Sequence, residues 1–165
     1  MSHLEFKPID LENHADVCIQ FAEDTEVCSF GSVDGFREND GQGAQRFIER
    51  IGEKLSKDPQ SCIHVWKDGV IVGQIHLGQF IDPLIGYIHF FYVAPSWRGT
   101  EVAQQMEQHA TSYFRQRGFE AARLSVSATN LRAMRFYLRC DWKDLGPRED
   151  KPGVHNMEKI FRQRG

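Results

Sequence analysis

Residues 93–103 read Val-Ala-Pro-Ser-Trp-Arg-Gly-Thr-Glu-Val-Ala and carry the strongest indication of the fold. They follow Ile85–Val93, a nearly unbroken aromatic and aliphatic run typical of a central strand covered on both faces. They lead into residues 101–117, which predict a helix. Backbone N–H groups in the first turn of a helix have no partner within it and bind anions such as phosphate. Gly99 lets the backbone approach an anion closely, and Arg98 adds positive charge. The stretch therefore predicts a strand–turn–helix unit with a phosphate site, and an ordinary connection with a surface arginine remains the alternative.

Residues 125–142 supply a second pattern, Ser-Val-Ser-Ala-Thr-Asn-Leu-Arg-Ala-Met-Arg-Phe-Tyr-Leu-Arg-Cys-Asp-Trp. Asn130 lies between a predicted strand and a predicted helix, where its side chain caps the helix or binds an amide of a ligand. Ala133, Phe136 and Tyr137 follow at spacings that place them on one helical face or at its edge. Taken alone, this aromatic pair is more typical of a core than of a catalytic site.

The two patterns, in this order and at this separation, resemble the GNAT acetyltransferases over about Ile85–Gly146. Arg98–Ala103 is similar to the family's Gln/Arg-x-x-Gly-x-Gly/Ala pyrophosphate motif, with Glu101 in place of the middle glycine. The second stretch resembles the family's Asn-x-x-Ala-x-x-Phe-Tyr helix and the aromatic residue after it, here Trp142. Asp141 stands where the family usually has glycine, and aspartate tolerates the left-handed conformation better than most residues.

The resemblance implies an α/β fold of the GNAT acyl-CoA N-acyltransferase type, with a mixed, partly splayed sheet flanked by helices, in a single domain over residues 1–165. It implies acetyl-CoA as co-substrate, bound in the splay, and no metal. The activity implied is transfer of the acetyl group to a primary amine of a small molecule or peptide, by direct attack in a ternary complex. The alternative is a GNAT-like module that binds acyl-CoA without efficient turnover, which Glu101 favours.

The resemblance also implies roles for individual residues. The backbone of Phe91–Val93 pairs with the pantetheine arm as an added strand, and one N–H there polarises the thioester carbonyl. The turn and the start of the helix hold the pyrophosphate, Asn130 binds the pantetheine or its neighbourhood, and Tyr137 protonates the departing thiolate. The cofactor-binding residues are thus Phe91, Tyr92, Val93, Arg98, Gly99, Thr100, Glu101, Val102, Ala103 and Asn130.

The reaction also needs a base, because a primary amine with a pKa near 10.4 is mostly protonated at neutral pH. Tyr87 and His89 on the apolar strand, and His76 on the strand before it, are the candidates. If Asp82-Pro83 centres a tight antiparallel turn, His76 and His89 lie opposite each other, and one of them handles protons at the acceptor cleft. The alternative is that both histidines have only a structural role, with their hydrogen bonds made within the strand pair. A metal site formed by the two histidines is disfavoured, because no third ligand lies nearby in the sequence. The predicted catalytic residues are Tyr137, His89 and His76.

The rest of the chain predicts further helices and strands. Asp68-Gly69 is a strong hairpin signal, and its turn places His64 nearer Gly73 than His76. Residues 29–43 predict a loop. Strands are expected at Glu5–Ile9, Cys62–Lys67, Val70–Phe80, Ala121–Val126, Trp142–Leu145 and Val154–Phe161, and helices at about Leu11–Cys28, Ala44–Lys57 and Asn130–Cys140.

Composition limits the class of protein. The 165 residues are 41% apolar and 26% charged, an ordinary balance for one soluble domain, and the net charge of −3 argues against general nucleic-acid binding. No apolar run approaches the roughly 20 residues of a membrane span, and the N-terminus lacks the apolar stretch of a secretory signal. Four scattered cysteines predict free thiols in a reducing compartment. We therefore expect a cytoplasmic enzyme with acetyl-CoA and an amine as partners, without nucleic acid or membrane; the acceptor stays open, as does the oligomeric state, with a homodimer as one option.

Overall fold

The computed structural model describes residues 3–38 and 40–161, which contain seven strands, five α-helices and two single-turn 3-10 helices at Pro59–Ser61 and Pro95–Trp97. The strands form one sheet that contains both parallel and antiparallel pairs, so the predicted mixed α/β fold is confirmed. In chain order the elements are β1 (Glu5–Pro8), α1 (Leu11–Phe30), α2 (Asp34–Arg37), α3 (Gly43–Lys57), β2 (Cys62–Lys67), β3 (Val70–Gln79), β4 (Ile85–Val93), α4 (Glu101–Gln116), β5 (Ala121–Ser127), α5 (Leu131–Arg139), β6 (Lys143–Pro147) and β7 (Val154–Ile160). The strand order is β1-β2-β3-β4-β5-β7-β6.

The described residues cluster into two compact units. The first is drawn from Met1–His76 and Phe90–Val102, and the second from Leu77–His89 and Ala103–Gly165. The chain passes between them within β3, β4 and α4.

Helix α1 of the first unit is longer than the sequence predicted. Asp10 caps it by accepting the backbone N–H groups of Glu12 and Asn13, and Gly31 ends it at a φ of 79° with a bond to the Val27 carbonyl. The expected loop at 29–43 was wrong in part, because α2 forms one helical turn inside it. The apolar contacts that fix this layer are made by Ile9, Cys18, Ile51 and Cys62, with Leu11, Phe47, Ile48 and Leu55 packed on them.

Strands β2 and β3 form the predicted hairpin. Asp68 and Gly69 both have positive φ, 51° and 77°, the backbone that a two-residue hairpin turn needs. A bulge then leaves Val72 as an extra residue on β3, so that His64 pairs with Gln74 and not with Gly73. The expectation that His64 lies nearer Gly73 than His76 is confirmed, and the bulge moves its partner by one residue, because counting outward from a turn does not include a bulged residue.

The second unit contains a parallel and an antiparallel part. Residues 85–88 of β4 pair with residues 121–124 of β5, and β7 runs antiparallel between β5 and β6. Gly86 lies directly against the buried ring of Phe114, where an added Cβ would be 2.3 Å from a ring carbon. No helix in this unit or the first, within the described residues, has the length and apolar character needed to cross a bilayer.

Candidate functional site

The turn between β4 and α4 is ordered by its own hydrogen bonds. The N–H of Trp97 donates to the Ala94 carbonyl at 2.9 Å, and the Thr100 hydroxyl donates to the Trp97 carbonyl at 2.5 Å. The same hydroxyl oxygen accepts the N–H of Val102 at 3.3 Å, which caps the start of α4. Gly99 has a φ of 76°, a conformation that favours glycine. The sequence-predicted phosphate turn is thus a preformed loop at a helix N-terminus.

Arg98 is held by groups of the protein. Its Nε donates to the Val93 carbonyl at 2.9 Å, its Nη2 donates to Asp24 Oδ2 at 2.7 Å, and its guanidinium lies 5.4 Å from the ring centroid of Tyr92. The Tyr92 hydroxyl donates to the same Asp24 oxygen at 2.5 Å. Burial alone would raise the pKa of Asp24, but the hydrogen bonds from Tyr92 and Arg98 hold that pKa below its usual value. The sequence assigned the charge of Arg98 to a phosphate, whereas here it pairs with a carboxylate of α1.

The remaining residues of the predicted cofactor set differ in exposure. Tyr92, Val93 and Val102 are buried, Phe91 and Ala103 are half-buried, and Glu101 is exposed in the first turn of α4. A carboxylate at this end of a helix is favoured by the helix dipole, and exposure leaves Glu101 in contact with solvent.

A buried hydrogen-bond chain connects His64, Gln74 and His76. His64 Nε2 lies 2.7 Å from Gln74 Oε1, and Gln74 Nε2 lies 2.8 Å from His76 Nε2. All three side chains are less than 5% exposed. Since the amide oxygen accepts and the amide nitrogen donates, His64 carries its proton on Nε2 and a neutral His76 carries its own on Nδ1. The Cys18 thiol lies 3.6 Å from His64 Nε2, and His64 Nδ1 is a buried nitrogen without a partner.

The two candidate bases lie in different surroundings. His76 is buried, with its ring 4.8 Å from that of Phe90 and 5.5 Å from that of Phe47. His89 is exposed, with its ring 4.8 Å from that of Tyr87. Continuous coverage of both faces of β4 was therefore a wrong expectation, because the strand carries a histidine that faces solvent.

The register at the carboxyl end of β4 corrects a second expectation. The turn begins as predicted, since the Phe80 N–H donates to the Ile85 carbonyl. In the register set by that turn, Ala94 would pair with Ile71. At the other end of β4, however, the Ala94 N–H donates to the Val72 carbonyl, so the pairing there is shifted by one residue. This register places Phe90, rather than His89, opposite His76. The roles of both histidines stay predictions.

In the second unit, the motif helix α5 begins as its sequence predicts. Asn130 Oδ1 accepts the N–H of Ala133 at 3.3 Å, so the side chain caps the helix, the first of its two expected roles. Asp141 follows the helix with a φ of 70°, the left-handed conformation for which the family uses glycine. The expectation that Asp141 tolerates this conformation is therefore met.

Tyr137 is buried, with its ring 5.4 Å from that of Phe136 and 6.0 Å from that of Trp142. Burial chiefly raises the pKa of Tyr137, with smaller contributions from the Cys140 thiolate that forms at high pH and from the Glu107 carboxylate, so the phenol is protonated at neutral pH. The buried Glu107 carboxylate has its own set of donors. It accepts bonds from Lys159 at 2.6 Å, Thr111 at 3.0 Å and Trp142 at 3.4 Å.

Three residues of these networks carried no sequence signal. Asp24 lies in a helix with no motif, Gln74 is one of three polar residues in a largely apolar strand, and Glu107 occupies an ordinary helix position. A partial signal was the spacing along α1. Phe21, Asp24 and Cys28 follow one another at three and four residues, which predicts that they share one face of the helix. Among residues 3–38 and 40–161, no cluster of three or more His, Cys, Asp or Glu is arranged to hold a metal ion.

Comparison with known proteins identifies the family. Residues 26–142 match the model of the acetyltransferase (GNAT) family. This chain belongs to the GNAT family. The resemblance found in the sequence is thereby confirmed, and it extends over more of the chain than the two motifs.

Relatives of this GNAT protein agree with that assignment. An uncharacterized N-acetyltransferase of Archaeoglobus fulgidus is 32% identical over 92 residues, which are 53% of this chain and 63% of that relative, so the match spans less than two thirds of its length. The PaiA N-acetyltransferase of Thermoplasma acidophilum, solved with coenzyme A, superposes with a TM-score of 0.75 at 16% identity over 96% of this chain and 99% of that one. A GNAT acetyltransferase of Staphylococcus aureus Mu50 gives 0.76 at 14% identity over 97% and 100%. At these identities the two structures show that the GNAT fold is shared.

Proposed function

We propose that this protein is an N-acetyltransferase that transfers the acetyl group of acetyl-CoA to a primary amine of a small molecule or peptide. The observation that carries the proposal is the preformed turn at Gly99, which joins the end of β4 to the N-terminus of α4 in a chain of the GNAT family. A turn of this kind offers unpaired backbone N–H groups to a pyrophosphate. The CoA-bound relative from Thermoplasma acidophilum supports the same cofactor.

In the proposed reaction the amine nitrogen attacks the thioester carbonyl carbon while both substrates are bound. The carbonyl oxygen gains negative charge, which a backbone N–H within Phe91–Val93 stabilises. The carbon–sulfur bond then breaks, and the thiolate leaves as CoA after taking up a proton. The amine loses one proton in the process, so the products are the acetamide and free CoA.

Two side chains handle these protons in the proposal. Tyr137 supplies a proton to the thiolate, because its phenol carries a proton at neutral pH and the family resemblance assigns it this role. His89 takes the proton from the amine, because it is the exposed imidazole of the two candidates. His76 is less suited to this step, since its Nε2 already accepts the Gln74 amide N–H. Its ring is instead stacked on that of Phe90.

The second candidate function is acyl-CoA binding without efficient turnover. Arg98, whose positive charge is expected at the pyrophosphate, is paired with Asp24, and Glu101 adds a carboxylate to the first turn of α4. Both carboxylates reduce the net positive charge that faces a phosphate, and this favours weaker binding of the cofactor.

One experiment separates these functions. Purified protein with acetyl-CoA is assayed for thiol release over a panel of amino acids, polyamines, peptide N-termini, aminoglycosides and arylalkylamines, with mass spectrometry of the products. Calorimetric titration with acetyl-CoA measures binding independently of turnover. Acetylated amine above the amine-free rate establishes the enzyme, and binding without product from any amine establishes the binding module.

A further inference from the structure

One face of α1 is attached to the turn that leads into α4. Phe21 stacks on the Tyr92 ring with 4.3 Å between ring centroids, and one helical turn later Asp24 accepts both Tyr92 and Arg98. Cys28, the next residue on this face, lies 3.8 Å from Arg98 Nη1. The helix thus contacts the end of β4 and the turn through side chains that follow at spacings of three and four residues.

Arg98 transmits this contact to the backbone of the turn. Its two ends are fixed, Nη2 by Asp24 and Nε by the Val93 carbonyl, and its side chain is only 20% exposed. Gly99 follows immediately and has a positive φ. No atom lies within 4 Å of the position that a Cβ would take there, so the turn is open to solvent on that side of the glycine. The side chain of Arg98 therefore links the turn to α1.

We propose that Asp24 is a positioning residue for acetyl-CoA: through Arg98 it fixes the turn whose backbone N–H groups bind the pyrophosphate, without itself contacting the cofactor. This inference rests on the proposed function, because it assigns acetyl-CoA to that turn. Two properties of the site support it. The Asp24 side chain is one-third exposed. One of its carboxylate oxygens accepts hydrogen bonds from both the Arg98 guanidinium and the Tyr92 hydroxyl, and hydrogen bonds to a charged group are the stronger kind. The alternative role, in which Asp24 withholds Arg98 from the phosphate, predicts the opposite sign for its removal.

The test uses Asp24→Asn, which keeps the size of the side chain and removes its charge. Affinity for acetyl-CoA is measured by calorimetry at fixed salt, and KM and kcat with the best amine of the panel by steady-state kinetics. Glu23→Gln is the matched control, because Glu23 is the preceding residue of α1 and pairs with Arg37 at the surface. We expect Asp24→Asn to weaken acetyl-CoA binding about tenfold and to raise its KM in parallel, with kcat at saturation unchanged within about twofold. Glu23→Gln is expected to change neither by more than about twofold.

A double-mutant cycle shows whether Asp24 acts through Arg98. If it does, Asp24→Asn combined with Arg98→Gln weakens acetyl-CoA no more than the more severe single change. Tyr92→Phe, which removes only one donor to the carboxylate, provides a milder variant should Asp24→Asn fold poorly, and it is expected to weaken binding by about threefold. Unchanged affinity in both variants overturns the inference, as does tighter binding or additive losses in the cycle. Normal binding of acetyl-CoA by the wild type without any acetylated amine overturns the enzymatic proposal and leaves the role of Asp24 standing.

Discussion

Acidification should destabilise the protein through His64. Burial lowers the pKa of His64 from 6.5 to about 4, with a smaller effect in the same direction from His14 and an opposing one from the Gln74 hydrogen bond. In the unfolded chain the imidazole returns to its ordinary pKa. Between these two values the unfolded state therefore binds more protons than the folded state, so stability is lost as pH falls from about 6.5 to about 4.

The size of this effect follows from the difference between the two pKa values. A difference of about 2.5 corresponds to about 3 kcal/mol of unfolding free energy lost by pH 4. The titratable side chains that face His64 are Cys18 and His14, both on α1. The pKa of the Cys18 thiol is raised to about 12, chiefly by burial, so it stays neutral throughout this range.

Urea unfolding of the wild type and of His64→Gln from about pH 7 to pH 4 measures the effect, because carboxylates titrate alike in both proteins. Glutamine retains an amide donor toward Gln74 and does not titrate. We expect the stability difference between the two proteins to shrink by about 3 kcal/mol over this range. His3→Gln removes an exposed imidazole and should follow the wild type. Parallel curves for the wild type and His64→Gln would refute a buried, neutral His64.

Three further predictions concern the cofactor site and the core. Tyr137→Phe should lower kcat by 10²- to 10⁴-fold without changing the Kd for acetyl-CoA, because the hydroxyl acts only on the leaving thiolate; steady-state kinetics and calorimetry check this, and buried Tyr113→Phe is the matched control. Gly86→Ala should cost about 1–3 kcal/mol in chemical unfolding, since its Cβ would meet a buried ring, whereas Gly52→Ala, in ordinary contact within α3, should stabilise by up to about 1 kcal/mol. Glu101→Gly should cost up to about 1 kcal/mol of helix stability and change acetyl-CoA affinity less than tenfold in calorimetric titration; a hundredfold gain would show that Glu101 intrudes on the pyrophosphate.

The sequence predicted those parts of the fold that depend on neighbouring residues. The hairpin at Asp68-Gly69 and the turn at Gly99 require particular backbone angles, and only a few residue types adopt them readily. Strands β2 and β4 have the predicted bounds, because proline and turn residues flank them. Local signals of this kind place elements along the chain to within a few residues.

Contacts between distant residues were beyond the reach of such signals. The turn placed His64 near Gly73 without giving its exact partner, Gln74, because no local pattern marks Val72 as a bulged residue. Asp24 and Arg98 are 74 positions apart, and an aspartate in an amphipathic helix gives no sign of which partner it meets. The conformation of the turn and the Asn130 cap were therefore predictable from the sequence, whereas the Asp24–Arg98 ion pair and the buried hydrogen-bond chain of His64 were not.

The place of β7 in the sheet has a consequence for synthesis of the protein on the ribosome. Residues 154–160 form the last strand of the described chain, yet β7 pairs with β5 on one side and β6 on the other. Until β7 has emerged, both neighbours present unpaired N–H and C=O groups along an open edge, and open edges of this kind recruit other chains. A nascent chain stalled before Val154 therefore exposes two strand edges that can pair with other chains until β7 is synthesised.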